Sequence, residues 1–159
     1  MGYSKLTQYK DLIELVTGLV VIVSLIFVGI EIRQNTAAIK MDAYQIALDK
    51  LDHRSYMLAT DKELFRIVQL AADSGSELSE EEWSRVILFT LPHLAVWEFL
   101  HDAHTKDNID RFQYQGFERY FIAHLCTDNS VMRRAYHENI DIWSDPFLEY
   151  VTVMENTKC

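Results

Sequence analysis

Apolar residues fill nearly every position of residues 15–30, sixteen in a row without a charge, bounded by Glu14 and Glu31. As a helix this run is roughly 24 Å long, and about 31 Å if residues 12–32 are counted, against a hydrocarbon core of about 30 Å. Over residues 19–28 only Ser24 is polar, so the segment has no wet face to turn outward from a soluble bundle. The pattern predicts a membrane-spanning helix. The segment Val28-Gly-Ile-Glu-Ile-Arg33 after it lacks a small-x-small cleavage pattern, so the span is expected to stay as an anchor.

From there to Thr60 no glycine, proline or cap interrupts the chain, which predicts that the same helix continues. Ala37, Met41, Tyr44, Leu48, Leu51, Ser55 and Leu58 are spaced alternately four and three, a heptad seam. Either the protein's own later helices cover that seam or copies of itself do. Thr60 with Glu63 reads as a capping box, opening a helix that ends near Asp73-Ser74-Gly75. Ser79 with Glu82 is a second box, with Leu78 and Trp83 at the staple positions. The helix it opens is apolar over residues 86–100 except at Thr90, His93 and Glu98, the pattern of a central helix, and Pro92 is expected to kink it. Residues 105–108 break it, and Asp110 with Gln113 caps the next. Asp128-Asn129-Ser130 precedes a short helix to about Ile142, and Asp145-Pro146 opens a last one to about Glu155. The fold class is therefore all-α: a long N-terminal transmembrane helix continuing into a cytoplasmic bundle of about five shorter helices. The expected organisation is a tail and span over 1–35 and a helical soluble domain over 36–159.

Composition sharpens this picture at three points. With 49% hydrophobic and 12% aromatic residues the chain can bury a real core. A net charge of -9 leaves no footprint for nucleic-acid phosphate, so no nucleic-acid partner is expected. Cys126 and Cys159 form no spaced framework and read as two free thiols in a reducing compartment. Flanking charge does not orient the span, since Lys5, Lys10 and the α-amino group oppose Arg33, Lys40 and Lys50. The thiols therefore decide for a cytoplasmic C-terminal domain.

Candidate chemistry is sparse. Glu98 and His101 form an E-x-x-H with His104 three residues on, the spacing that puts a carboxylate and imidazoles on one helix face. A di-metal site needs a second such motif, and Glu118, His124, His137 and Glu138 do not form one, so Glu98 is expected to pair with an arginine or a hydroxyl instead. Cys126 has no base on its own face, and reads as a small buried thiol. No serine elbow, Gly-rich phosphate loop or H-E-x-x-H occurs, so no catalytic residue and no cofactor is expected. Phe112, Tyr114, Phe117, Tyr120 and Phe121 read as core, with Gly116 marking a close helix approach, and Arg133-Arg134 as an exposed ion-pairing doublet.

The stretch Ser24-Leu-Ile-Phe-Val-Gly-Ile-Glu-Ile-Arg-Gln-Asn-Thr36, followed by Ala43-Tyr-Gln45, resembles the start of a widespread bacterial family of small uncharacterised membrane proteins. Residues 78–82, Trp97-Glu98, and Asp110 with the aromatics after it are also similar to that family's pattern. The resemblance implies an N-terminal transmembrane helix ending in an Ile-Arg-Gln-Asn-Thr motif, a helical domain and location in the bacterial inner membrane. It transfers no activity. Arg33, Gln34 and Asn35 would lie at headgroup level, where arginine snorkels and amides bond across helices. The expected function is a non-enzymatic single-pass membrane protein mediating assembly, as a homo-oligomer or as an accessory subunit of a membrane complex. Arg33, Gln34, Asn35, Met41, Tyr44, Leu48 and Leu51 would form its interface. Its partners would be the lipid bilayer and itself or another membrane-protein subunit. The alternative is a ligand-responsive membrane effector or channel-like oligomer, and a metal-dependent enzyme on Glu98, His101 and His104 ranks below both.

Overall fold

Helix-forming patterns separated by caps produce, in the computed structural model, a chain whose described residues, 3–73 and 78–159, are helical throughout apart from short connections. The order is α1 (Tyr3–Thr60), α2 (Lys62–Asp73), α3 (Glu80–Thr105), α4 (Arg111–Leu125), α5 (Val131–Glu138), a 3-10 turn (Ile140–Ile142) and α6 (Asp145–Lys158). The fold is all-α, with one long and five shorter α-helices among these residues. Internal contacts divide the chain into two units, Met1–Ile39 and Lys40–Cys159.

The first unit is the N-terminal part of α1. An 18-residue window of this helix reaches a mean hydropathy of 2.6, and none of that window is buried within the chain. Within it the Ser24 hydroxyl is satisfied locally, donating to the Val20 carbonyl at 2.8 Å. The helix is long and apolar enough to cross a membrane.

In the second unit α3 is central, packing against α2, α4, α5 and α6. Its apolar circumference is the reason: Leu94, Trp97 and Leu100 are fully buried, and Trp97 stacks on Phe121 of α4 at 5.3 Å while meeting the edge of Phe147 of α6 at 5.4 Å. Tyr136 of α5 and Val151 of α6 complete this core, and Leu64, Ile67 and Ala71 of α2 form a smaller one with Val86. The second half of α1 joins through Ala43 and Ala47, whose small side chains bring its backbone close, flanked by half-buried Tyr44 and Leu51. That inward stripe is rotated from the predicted seam. Tyr44, Leu51 and Leu58 do pack inside, whereas Met41 is 50% and Leu48 42% exposed.

The Ser79–Glu82 box forms as predicted, and Leu78 and Trp83 pack on the smaller core. Other caps differ by one residue. Thr60 spends its hydroxyl on the Tyr56 carbonyl, so Asp61 caps α2, accepting from the Glu63 and Leu64 amides at 3.0 and 2.9 Å. The N-cap of α6 is Ser144, which moves Asp145 and Pro146 into the first turn. Asp110 does stand at the start of α4, but its carboxylate turns to Lys40 at 3.6 Å instead of capping. The expected short helix to Ile142 ends at Glu138, where a 3-10 turn takes over. The expected role of Gly75 as a C-terminal cap lies outside the described residues.

Candidate functional site

Arg33, Gln34 and Asn35 are exposed on the first unit. The remaining expected interface residues, Met41, Tyr44, Leu48 and Leu51, are on the second. There Tyr44 turns inward against Phe117, centroids 5.7 Å apart, and Leu51 packs on the main core. Leu48 instead edges a groove of about 1110 Å³ between α1 and α4, with Asp49, Asp52, Phe112, Gly116 and Tyr120 among its walls. Gly116 has nothing within 4 Å of where a Cβ would stand, so the expected close helix approach is corrected: the glycine opens the groove. Of the aromatic set, Tyr114, Phe117 and Phe121 are core, while Tyr120 is 41% and Phe112 89% exposed.

The E-x-x-H residues separate into structural contacts. Glu98 Oε1 accepts from the Ser144 amide at 2.8 Å, at the N-terminus of α6, where the helix dipole favours a carboxylate. Its expected arginine or hydroxyl partner is thus replaced by a backbone N–H. His101 stacks on Tyr150 at 4.1 Å and lies 3.4 Å from the Tyr114 hydroxyl, and His104 stacks on Tyr114 at 4.1 Å. No group of three or more His, Cys, Asp or Glu among the described residues is placed to hold a metal ion. Glu118 accepts from the Tyr150 hydroxyl at 2.8 Å, and burial raises the pKa of both Tyr114 and Tyr150. These phenols are packed donors rather than reactive phenolates.

The two cysteines are a correction. Cys126, the C-terminal cap of α4, and Cys159, just after α6, form a disulfide with Cα atoms 4.8 Å apart. Neither is a free or simply buried thiol, because α6 runs alongside α4 in the same sense, Tyr150 beside Glu118, and so brings the two C-terminal ends together. The argument that placed the domain in a reducing compartment loses its premise. The arginine doublet is ion-paired, Arg133 with Glu155 at 3.4 Å and Arg134 with Glu138 at 2.6 Å, the latter also lying over Trp83.

One polar pair escaped the sequence reading. Arg54 of α1, half-buried, directs Nη1 to Nδ1 of His93 on α3 at 2.5 Å, with its guanidinium carbon 4.3 Å above the Phe89 ring. No carboxylate neutralises it, and burial lowers its pKa. His93 is 2% exposed and held to a pKa of about 3, by burial first and then by Arg54 and His124, so it is neutral and accepts at Nδ1. Its Nε2 then carries the proton and has no partner. The only local signal was an arginine on the inward face of an otherwise apolar stripe. No family model, curated protein or solved structure matches the chain.

Proposed function

We propose that the protein is a single-pass membrane protein of the bacterial inner membrane whose helical domain mediates assembly, without catalysis. The observation that carries this is the uncovered N-terminal half of α1. Its apolar window is wholly exposed within the chain, and that much contiguous apolar surface is stable only in lipid or against partners. Met41 and Leu48 extend exposed apolar surface along the second unit, and the groove beside Leu48 adds aromatic walls with an acidic rim. Arg33, Gln34 and Asn35 fit the headgroup level beyond Glu31, as the bacterial family resemblance implies. The disulfide favours an oxidising side for the helical domain over the cytoplasmic one, since cytosolic thiols are kept reduced.

The test is the mass of the full-length chain extracted from its native membrane in mild detergent, with identification of what copurifies. The expected result is a multiple of 18.6 kDa or stoichiometric foreign subunits. Met41→Glu with Leu48→Glu should shift the assembly toward one copy without unfolding it, because both residues are exposed; Leu51 is unsuited to this test because it is packed in the core. Recovery in the soluble fraction would overturn the membrane reading, and a single copy alone in the micelle the assembly reading. A ligand-responsive role is the second reading, favoured by the unneutralised Arg54.

A further inference from the structure

Between α1 and α3 lies a cavity of about 290 Å³, at the small end of the range for ligand sites. Lys50, His53, Arg54 and His93 contribute its polar walls, and Leu88, Phe89 and Val96 are among the apolar ones. No carboxylate lines it. Asp49 and Asp52, their neighbours on α1, line the α1–α4 groove, whose wall Arg54 shares, but neither forms an ion pair with it.

We propose that this cavity binds a small organic acid, a carboxylate on a compact apolar body. Three observations point there, two of them on Arg54 itself. Arg54 offers five N–H donors and makes one hydrogen bond, to His93, so its fork remains available to a planar carboxylate. A guanidinium taken partly out of water with no counter-charge is costly, and an anion arriving from solvent removes that cost. Lys50 adds a second cation at the wall and makes no ion pair with a described residue, while beyond His53 and His93 the lining is hydrocarbon and aromatic, which suits an apolar body and gives a free inorganic anion little to hold. The Phe89 ring covers one face of the guanidinium, leaving its N–H edge as the direction of approach.

The experiment uses the full-length chain in a non-ionic detergent, titrated calorimetrically with benzoate, with benzyl alcohol as the neutral analogue and inorganic phosphate as an anion without an apolar body. Saturable benzoate binding is expected, at least tenfold tighter than benzyl alcohol or phosphate. Arg54→Met should weaken it at least tenfold and Lys50→Met a few-fold. Lys50 is exposed, so that variant keeps the test decisive should Arg54→Met fail to fold. Absence of saturable benzoate binding, equal binding of benzyl alcohol or phosphate, or unchanged benzoate affinity in Lys50→Met would each overturn the proposal.

Discussion

At the scale of single residues, the most consequential group is His93. It sits with its ring 5.0 Å from Phe121 and 5.4 Å from Tyr120, and its pKa is depressed from 6.5 to about 3. A histidine whose folded pKa is depressed binds its proton in the unfolded chain first. As pH falls through 6.5 the unfolded state gains a proton that the folded state refuses, so stability is full above 6.5 and declines down to about 3. The limiting slope is about 1.4 kcal/mol per pH unit. His101, also depressed by burial and then by His104, adds a smaller part to the same limb. Glu82, held to about 2 by the Ser79 amide first and by Arg66, loses its contribution only below about 4.5. The window from pH 6.5 to 4.5 therefore isolates the histidines. Thermal melts followed by circular dichroism should show Tm falling across it, and His93→Phe should remove most of that fall even though the variant starts less stable. An undiminished slope in His93→Phe would mean that the ring is protonated in the folded protein.

At the scale of elements, the helices are joined by contacts that local spacing cannot display. Glu98 on α3 holds the first turn of α6 through the Ser144 amide. Glu98→Ala should lower stability by about 1–2 kcal/mol, the loss of one charge-assisted bond at a helix N-terminus, and metal analysis of the purified protein should be the same for variant and parent. A metal bound by the parent and lost with Glu98 would restore the reading the histidine stacking argues against. The number of helices and their order were legible because periodicity and punctuation are local properties: Ser79 with Glu82 announces α3, and residues 105–108 announce its end. The caps at Asp61 and Ser144 were missed by one position because two adjacent residues could each accept. At α2 the Thr60 hydroxyl is already bonded to Tyr56; at α6 the Ser144 side chain makes no cap bond, and its amide is held instead by Glu98. The E-x-x-H spacing correctly put Glu98 and His101 on one helix, but their partners are Tyr150 and Ser144 of the α6 segment, about fifty residues on. The same holds for Arg54 and His93, thirty-nine apart in sequence. The heptad seam describes the inward face only in part for a related reason: Tyr44, Leu51 and Leu58 do pack inside, but the most buried positions of this stretch are two alanines, Ala43 and Ala47, weak in any hydrophobic count.

At the scale of the whole molecule, the Cys126–Cys159 bond closes a loop with a sequence separation of 33 that contains α5 and α6. Two cysteines in a chain of this length carry no pairing signal by count, and only the path of α6 brings them together. By the chain-entropy account, closing such a loop stabilises the fold by about 3–4 kcal/mol. Cys126→Ser should therefore lower the Tm of the detergent-solubilised chain, and a reductant should lower the parent's Tm to the variant's while leaving the variant unmoved. The consequence reaches topology, because the bond persists only where thiols are oxidised. For the proposed span, Lys5, Lys10 and the α-amino group on one side match Arg33, Lys40 and Lys50 on the other, so charge alone leaves the orientation open, and the redox state of this pair becomes the deciding observation. Trapping thiols in intact cells with a maleimide of added mass, before any lysis, should leave the protein unshifted until it is reduced. A double shift without reductant would put the helical domain in the cytosol. It would also make Cys126 and Cys159 a proximal thiol pair there, and the entropic stabilisation would then appear only after oxidation.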